Sequence, residues 1–457
     1  TEDPADFFGG VVGQNSGIIN GATNASSVDV AAAGATYVGG IIGQNTETGI
    51  LQGEIANEGT VSGKENVGGI IGENKNNSIL NNSDSNERLQ ITNSGNVSAA
   101  DGGAAGIFYT NIGSINNADL TNTGIVTGGN KSDGVTGGLF GKNSGNITNS
   151  TLTNSGIVTG GGTVGGLIGE NSGNIRTSSL KNEAGATVIG INNVGGLIGI
   201  NTGTITGGRT NEDGTEADYY KYQIYNNGVI NVGTWTDGNN DGIVDTVEIT
   251  STNGSNIGGL IGSNTGSLIA GYNTGAINAA GSTNVGGIVG NNAGTVDQVF
   301  NTVFNSDGTN GTITGGTNVG GIIGSNSGQL SNAYNTTEVV ANEINGVIGA
   351  IAGSNTALGT IDTVFTTTGD SVVGNINNGT VSNALLLSNA ANAAKDADNY
   401  KGFGFSTDDT FSKNSDDDIW KIYDGKSLAM LKVFLTSATV EDTDFVYNGS
   451  EQSVTID

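Results

Sequence analysis

The chain has no cysteine, no histidine, one proline (Pro4), one methionine and only 15 basic residues against 43 acidic ones. Each scarcity removes a class of chemistry. Without cysteine there is no disulfide framework, and without cysteine and histidine there is no zinc site of the thiolate or imidazole kind. The lack of histidine also removes the commonest general base and every Ser-His or Cys-His nucleophile pair. The net charge is −28, and Arg88, Arg176 and Arg209 are the only arginines. Nucleic acid is therefore an unfavourable partner, because binding phosphate needs clustered Lys and Arg. Anionic membrane surfaces are disfavoured for the same reason. No run approaches the ~18 consecutive apolar residues of a membrane helix, so membrane insertion is not expected. The chain starts at Thr1 without an initiator Met or a basic region followed by an apolar stretch, and reads as part of a longer polypeptide.

What is present is glycine, 81 of 457 residues, arranged in a block that recurs eleven times. The block is a Gly-Gly pair, two aliphatics, a Gly, any residue, and an Asn. Clear copies are Val38 to Asn45, Val164 to Asn171 and Val285 to Asn292. The closing residues are Asn15, Asn45, Asn74, Asn111, Asn143, Asn171, Asn201, Asn264, Asn292, Asn326 and Asn355. The residue two before each Asn is Gly in ten copies, with Tyr109 the exception, and the residue two after is Gly in eight. A period of roughly thirty residues indicates stacked copies of one structural unit.

A helical unit is incompatible with this composition, since each interior Gly costs roughly 1 kcal/mol against Ala, and Asn, Ser and Thr compete for helical backbone bonds. Apolar residues instead come in runs of two or three, bounded by Asn-Ser-Gly or Asn-Thr-Gly turn signals. These features predict an all-β fold: a single-stranded parallel β-helix, or β-solenoid, right-handed by the general preference for such crossovers. In it the Gly-Gly pair lets the backbone bend and approach closely, and the following aliphatics fill the core. The repeated Asn has two readings, an amide ladder between coils or a local left-handed turn residue. Eleven to thirteen coils at about 4.8 Å would make a rod of roughly 50–65 Å.

The block Gly-Gly-Leu-Ile-Gly-x-Asn resembles the GLUG-type repeat of large secreted and surface proteins of bacteria, over about Phe7 to Asn355. The resemblance implies a β-helical segment of an adhesin-like, extracellular protein and no catalytic residues. The tail from Phe445 to Asp457 resembles the start of the small β-rich MBG-type domains that follow such repeats.

The organisation expected along the chain is repeats over 1–206, an insertion with a degenerate coil over 207–255, repeats over 256–389, a C-terminal cap over 390–436 closing the open end, and the start of a further β module over 437–457. The insertion holds the sharpest motif. Asp237 to Glu248 fits the twelve-residue calcium loop D-x-[DN]-x-[DN]-G-x5-E at every defined position. Calcium takes six to eight hard oxygens. Asp237, Asn239, Asp241 and Asp245 would supply side-chain oxygens, Ile243 its carbonyl, and Glu248 would close the site if a helix followed. The sequence Val247-Glu248-Ile249-Thr250 alternates like a strand instead, so a calcium loop on a β scaffold is expected rather than an EF-hand pair. The competing reading is a plain acidic turn. Tyr219, Tyr220, Tyr222 and Tyr225 form the densest aromatic run, either a platform for sugars or proteins or side chains packed on the rod. Some β-helices cleave polysaccharides with clustered carboxylates and a basic residue on one face. Here the basic residues are scattered. The sequence therefore points to a non-catalytic adhesive segment contacting a glycan or protein on a host or cell surface, with a mechanical stalk or matrix component as the alternative.

Overall fold

In the computed structural model the chain winds into a parallel β-helix, with residues 7–30, 35–75, 79–80, 88–208, 221–236, 246–248, 253–303, 311–387, 399–400, 402–403, 405–406, 419–421 and 428–434 described. One turn shows the plan. Strand Tyr37–Gly39 lies on face A, Ile42–Asn45 on face B, Ile50–Asn57 on face C and Val61–Gly63 on face D. Faces A, B and D stack into parallel sheets of eleven, twelve and ten strands. Twelve rungs at the ~4.8 Å strand spacing make a rod about 50 Å long. Face C is kinked in the middle of its rungs by a residue at positive φ: Gly21 and Gly53 early, then Asn117, Asn149, Thr177, Ala270, Gln298, Asn332 and Thr363. This kink wraps face C around the larger of two cores.

The register follows the repeated Asn. Asn143, Asn171 and Asn201 are neighbours on face B, with side-chain bonds of 2.8 and 2.9 Å. Asn201 bonds directly to Asn264 at 2.9 Å. The 63-residue interval is therefore one turn, not a turn plus a degenerate coil. It keeps regular rungs at Thr204–Thr206 and Ile224–Asn226 on face C and Val229–Val232 on face D. The extra length enters at two places, within face C and between faces D and A. Stacking forces this arrangement, because each strand takes its backbone bonds from the rungs on either side.

The interior is split. Ile, Leu and Phe side chains from faces B and C fill one core, exemplified by Ile42, Leu51, Ile55, Phe108 and Phe140. Valines from faces A and D fill a second, narrower one, such as Val38, Val61, Val97 and Val126. The Gly-Gly block runs between them. A Cβ on Gly166 would collide with the carbonyl of Gly196 and approach the Asn182 amide to 3.0 Å; a Cβ on Gly165 would collide with the Ile168 carbonyl. A Cβ on Gly169, in strand Ile168–Asn171, would lie 2.7 Å from the Gly141 carbonyl. Faces A and B thus press backbone against backbone, and glycine holds the paired positions in every rung of face A but those of Ala105 and Ala350, the smallest alternative. Tyr109 departs from this pattern by laying its ring over Gly103 of its own turn and Gly141 of the next.

The described part of the segment expected to close the open end packs along the flank of face C and on Leu385 and Leu387 of the last rung. Trp420, Tyr400, Phe403, Ala429 and Leu431 bury themselves against Phe365. Trp420 donates from Nε1 to Asn332 Oδ1 at 3.1 Å, and strand Trp420–Lys421 pairs antiparallel with Met430–Leu431. Phe434 reaches back to stand edge-on against Tyr272 and Phe300. What draws this strap to the flank is an outward column of rings on face C. Tyr225, Tyr272, Phe300, Tyr334 and Phe365 stack one per rung at 4.9–5.3 Å. The same column holds Ala56, Thr92, Thr121, Thr153 and Lys181 in the earlier turns. An exposed apolar column needs covering, and the strap covers it only where it exists.

Two outcomes follow. Asn171→Asp would bury a carboxylate facing the Asn201 Oδ1 and Gly173 carbonyl oxygens that Asn171 Nδ2 serves at 2.9 and 3.0 Å. Burial raises such a carboxyl above the unfolded value near ~3.9. The loss is therefore least below about pH 4 and complete once pH exceeds the raised folded value. Guanidinium midpoints at pH 4 and pH 7 should show a deficit of about 3 kcal/mol at pH 7 that shrinks at pH 4; equal deficits would contradict it. Trp420→Ala should cost about 3–5 kcal/mol. Hydrogen exchange should rise on face C between Tyr225 and Phe365 and stay unchanged between Tyr37 and Asn154.

Candidate functional site

Two continuous amide ladders run the length of the rod. In the first, each of the ten repeat Asn residues from Asn15 to Asn326 donates through Nδ2 to Oδ1 of the next, at 2.7–2.9 Å, ending at the eleventh, Asn355. In the second, Asn24, Asn57, Asn93, Asn122, Asn154, Asn182, Asn226, Asn273, Asn301 and Asn335 do the same at 2.7–2.9 Å where face C meets face D. The other proton of the amide serves the turn, as in Asn57 to Gly59 O at 2.9 Å and Asn143 to Gly145 O at 3.0 Å. Of the two readings of the repeated Asn, the ladder is the one observed. These ladders are buried scaffold, out of reach of a ligand. The second was missed in the sequence, although the same Asn-x-Gly signal marks most of its members.

The outer surface of faces A and B carries the exposed chemistry. Gly262, Gly290, Gly324 and Gly353 pack on the backbones of Asn193, Asn256, Asn284 and Asn318, setting the two faces side by side. The Asn column bonds along itself, with Nδ2 to Oδ1 distances of 2.9–3.0 Å. Beside it Ser255 donates to Asn192 at 2.8 Å and Thr317 to Thr283 at 3.1 Å. On face B the register places Ser263, Asn291, Ser325 and Ser354 in one column. Blocks 192–201, 255–264, 283–292, 317–326 and 346–355 contain no Asp, Glu, Lys or Arg. In the earlier turns that face B column holds Glu73, Thr110, Lys142 and Glu170. The strip is thus uncharged over five rungs, a lattice of amides and hydroxyls broken by Ile200 on face B of the first rung and by Val347 and Ile348 on face A of the last, on a chain of net charge −28.

Of the expected metal ligands, Asp237, Asn239, Asp241, Ile243 and Asp245 lie outside the described residues. Glu248 ends strand Thr246–Glu248, which pairs antiparallel with Thr234–Thr236. It stands opposite Thr234, two positions beyond the Thr236–Thr246 pair that closes the hairpin. Among the described residues no group of three or more Asp and Glu is gathered for a metal. Tyr219 and Tyr220 also lie outside the described residues. Tyr222 is buried, pairs by backbone with Gly208, and has the Lys221 ammonium 5.2 Å from its ring centre. Tyr225 is the first ring of the stacked column, and its hydroxyl donates to Glu183 at 2.8 Å. Burial and that carboxylate push its phenol far above the ordinary tyrosine range.

The carboxylates with displaced pKa values on face C are held ionised. Burial alone would raise Asp119, yet the Arg88 guanidinium at 2.7 Å and the Gln90 amide bring it below the usual range. Burial opposes the same shift at Asp362, where Ser382 at 2.6 Å and Asn383 at 2.9 Å prevail. No helix among the described residues is long and apolar enough to cross a membrane. No family model, curated protein or solved structure matches the chain.

Proposed function

We propose that this chain is a non-catalytic adhesive and structural segment of a bacterial surface or secreted protein, built from GLUG-type repeats. One observation carries the adhesive part: the uncharged strip of amides and hydroxyls on faces A and B from Asn192 to Ser354. Elsewhere the surplus of carboxylates suits a solvated surface that repels other anions. Over five rungs the strip offers donors and acceptors at a fixed period with no charge to desolvate, which favours a neutral, hydroxyl-rich polymer such as a glycan. The strip is about 20 Å long by the rung spacing and only a few columns wide. That is far below the ~800 Å² per partner of a stable protein interface, whereas a single extended chain fits it.

The two carboxylates of face C with displaced pKa values do not suit the acid role of a glycosidase. A glycosidase needs one carboxyl held protonated as acid. Asp119 and Asp362 are shifted the other way.

The reading is tested on an array of immobilised neutral and acidic polysaccharides and matrix proteins. The comparison is the intact chain against the triple variant Ser263→Glu, Asn291→Glu, Ser325→Glu. Glu73 and Glu170 show that the column accepts a carboxylate, and a circular-dichroism melt checks that three on successive rungs leave the fold intact. The expected result is retention on neutral glycans that falls at least about tenfold in the variant. A chain that is retained on nothing is a mechanical stalk.

Calcium belongs to the same proposal. The hairpin that brackets 237–245 supplies the β scaffold, and the motif supplies oxygens of the right kind. Glu248, paired in the ladder, is the ligand least required. Chelation by EDTA should then speed proteolysis near Asp241 and leave the melting of the rod unchanged. Identical cleavage with and without chelator removes calcium from the account.

A further inference from the structure

Where the strap crosses the rod it leaves a cleft of about 470 Å³. The rod side presents the hydroxyls of Thr302, Tyr334, Thr336 and Thr367; the strap side presents Leu428, Ala429 and Met430. Its size is within the range of small-ligand sites. Thr302 and Thr336, one rung apart, share a single hydrogen bond of 2.9 Å between their hydroxyls. The hydroxyls of Tyr334 and Thr367 have no hydrogen-bond partner among the described residues. Tyr334 is stacked between Phe300 and Phe365 at 5.0 and 5.1 Å, so its ring is fixed. Burial drives its phenol far above the usual value, which keeps it a neutral donor.

The lining sets the ligand class. No charged side chain among the described residues borders the cleft, and beside those residues an ion would lose hydration without a counter-charge. A wholly apolar molecule would leave the threonine and tyrosine hydroxyls unpaired, at about 1–3 kcal/mol each. What remains is a neutral molecule with one hydroxylated edge and one C–H face, as a sugar ring has.

We propose that the cleft between the strap and the Thr302–Thr336–Thr367 row is a second carbohydrate site, taking one or two neutral sugar residues. The hydroxyl edge bonds to Tyr334, Thr336 and Thr367, and the C–H face lies on Leu428 and Met430. The proposal shares its ligand class with the adhesive reading but none of its residues. The strap is thereby a binding element as well as a cover.

The test is calorimetric titration of the intact chain with glucose, maltose, cellobiose and lactose, with glucuronate as the charged control. Tyr334→Phe combined with Thr367→Val removes the two unpaired hydroxyls. The ring stack survives, because Phe300 and Phe365 already hold phenylalanine in that column. Met430→Trp fills the cleft from the other side. Saturable binding of a neutral sugar that weakens at least about tenfold in both variants, and persists in the Ser263, Asn291, Ser325 triple variant, supports the site. No saturable binding, or affinity unchanged by Tyr334→Phe with Thr367→Val, overturns it. The two readings fail separately: array retention abolished by the triple variant, with flat sugar titrations, removes the cleft and leaves the strip.

Discussion

The whole rod depends on an amide that cannot be satisfied alone. A buried primary amide brings two N–H donors and a carbonyl out of water, and each left unmade costs roughly 1–3 kcal/mol. Here one proton goes to the carbonyl of the adjoining turn, the other to the next rung, and the oxygen receives from the rung before. All three demands are met only if successive turns align residue on residue. A slip of one position would orphan a file of buried amides at once, a penalty that grows with the number of rungs. This explains how segments of 28 to 63 residues stack with one register. Asn201 and Asn264 are 63 residues apart and still bond at 2.9 Å, so chain length between rungs is free and amide position is not.

The glycines answer the same constraint from the other side. With the second ladder running down the middle of the cross-section, the strand opposite must pass close to it. Gly166 and its equivalents face Asn182 and its equivalents across that gap. The ladder and the Gly-Gly pair therefore imply one another. They divide the interior into an Ile/Leu/Phe core and a Val core, each too thin to hold a fold alone. Stability then passes from rung to rung, as expected of a solenoid.

The fold was readable because period and turn chemistry agree: Gly-Gly and Asn-x-Gly recur in a tight frame, and composition excludes helix. The first ladder was visible as a column of Asn, but a column cannot tell an inter-rung bond from a left-handed turn. Asn66, Asn193 and Asn284 do take positive φ, whereas the ladder residues proper are absent from that set. The second ladder hid because its spacing is disturbed by insertions, most of all on either side of Asn226, 44 residues after Asn182 and 47 before Asn273. The aromatic column was written as a Tyr or Phe immediately before Asn226, Asn273, Asn301 and Asn335. It needed the second register to be recognised, so the contact of the described strap residues with the side of the rod was not foreseen. The exposed strip was legible only as an absence, charge missing from five consecutive blocks, which acquires meaning once stacking makes those blocks neighbours.

The two halves of the rod are consequently unlike. From Tyr272 to Phe365 each rung carries an external ring in contact with Trp420, Tyr400 or Phe434, so several rungs are tied together from outside. Before that stretch, rungs hold one another through backbone, cores and ladders, with outer pairs such as Arg88–Asp119 and Phe7–Tyr37, and the first turn leaves Phe8, Val11 and Ile18 exposed. A nearest-neighbour stack opens most easily at an unclamped end. The uncharged strip lies on the clamped half, on the faces the strap leaves open. A surface whose binding depends on a fixed 4.8 Å repeat gains most from rungs that cannot shift relative to one another, because ordering them at the moment of contact would subtract from affinity. The strap and the strip thus occupy the same rungs for a physical reason: the brace on one side keeps the lattice on the other in step.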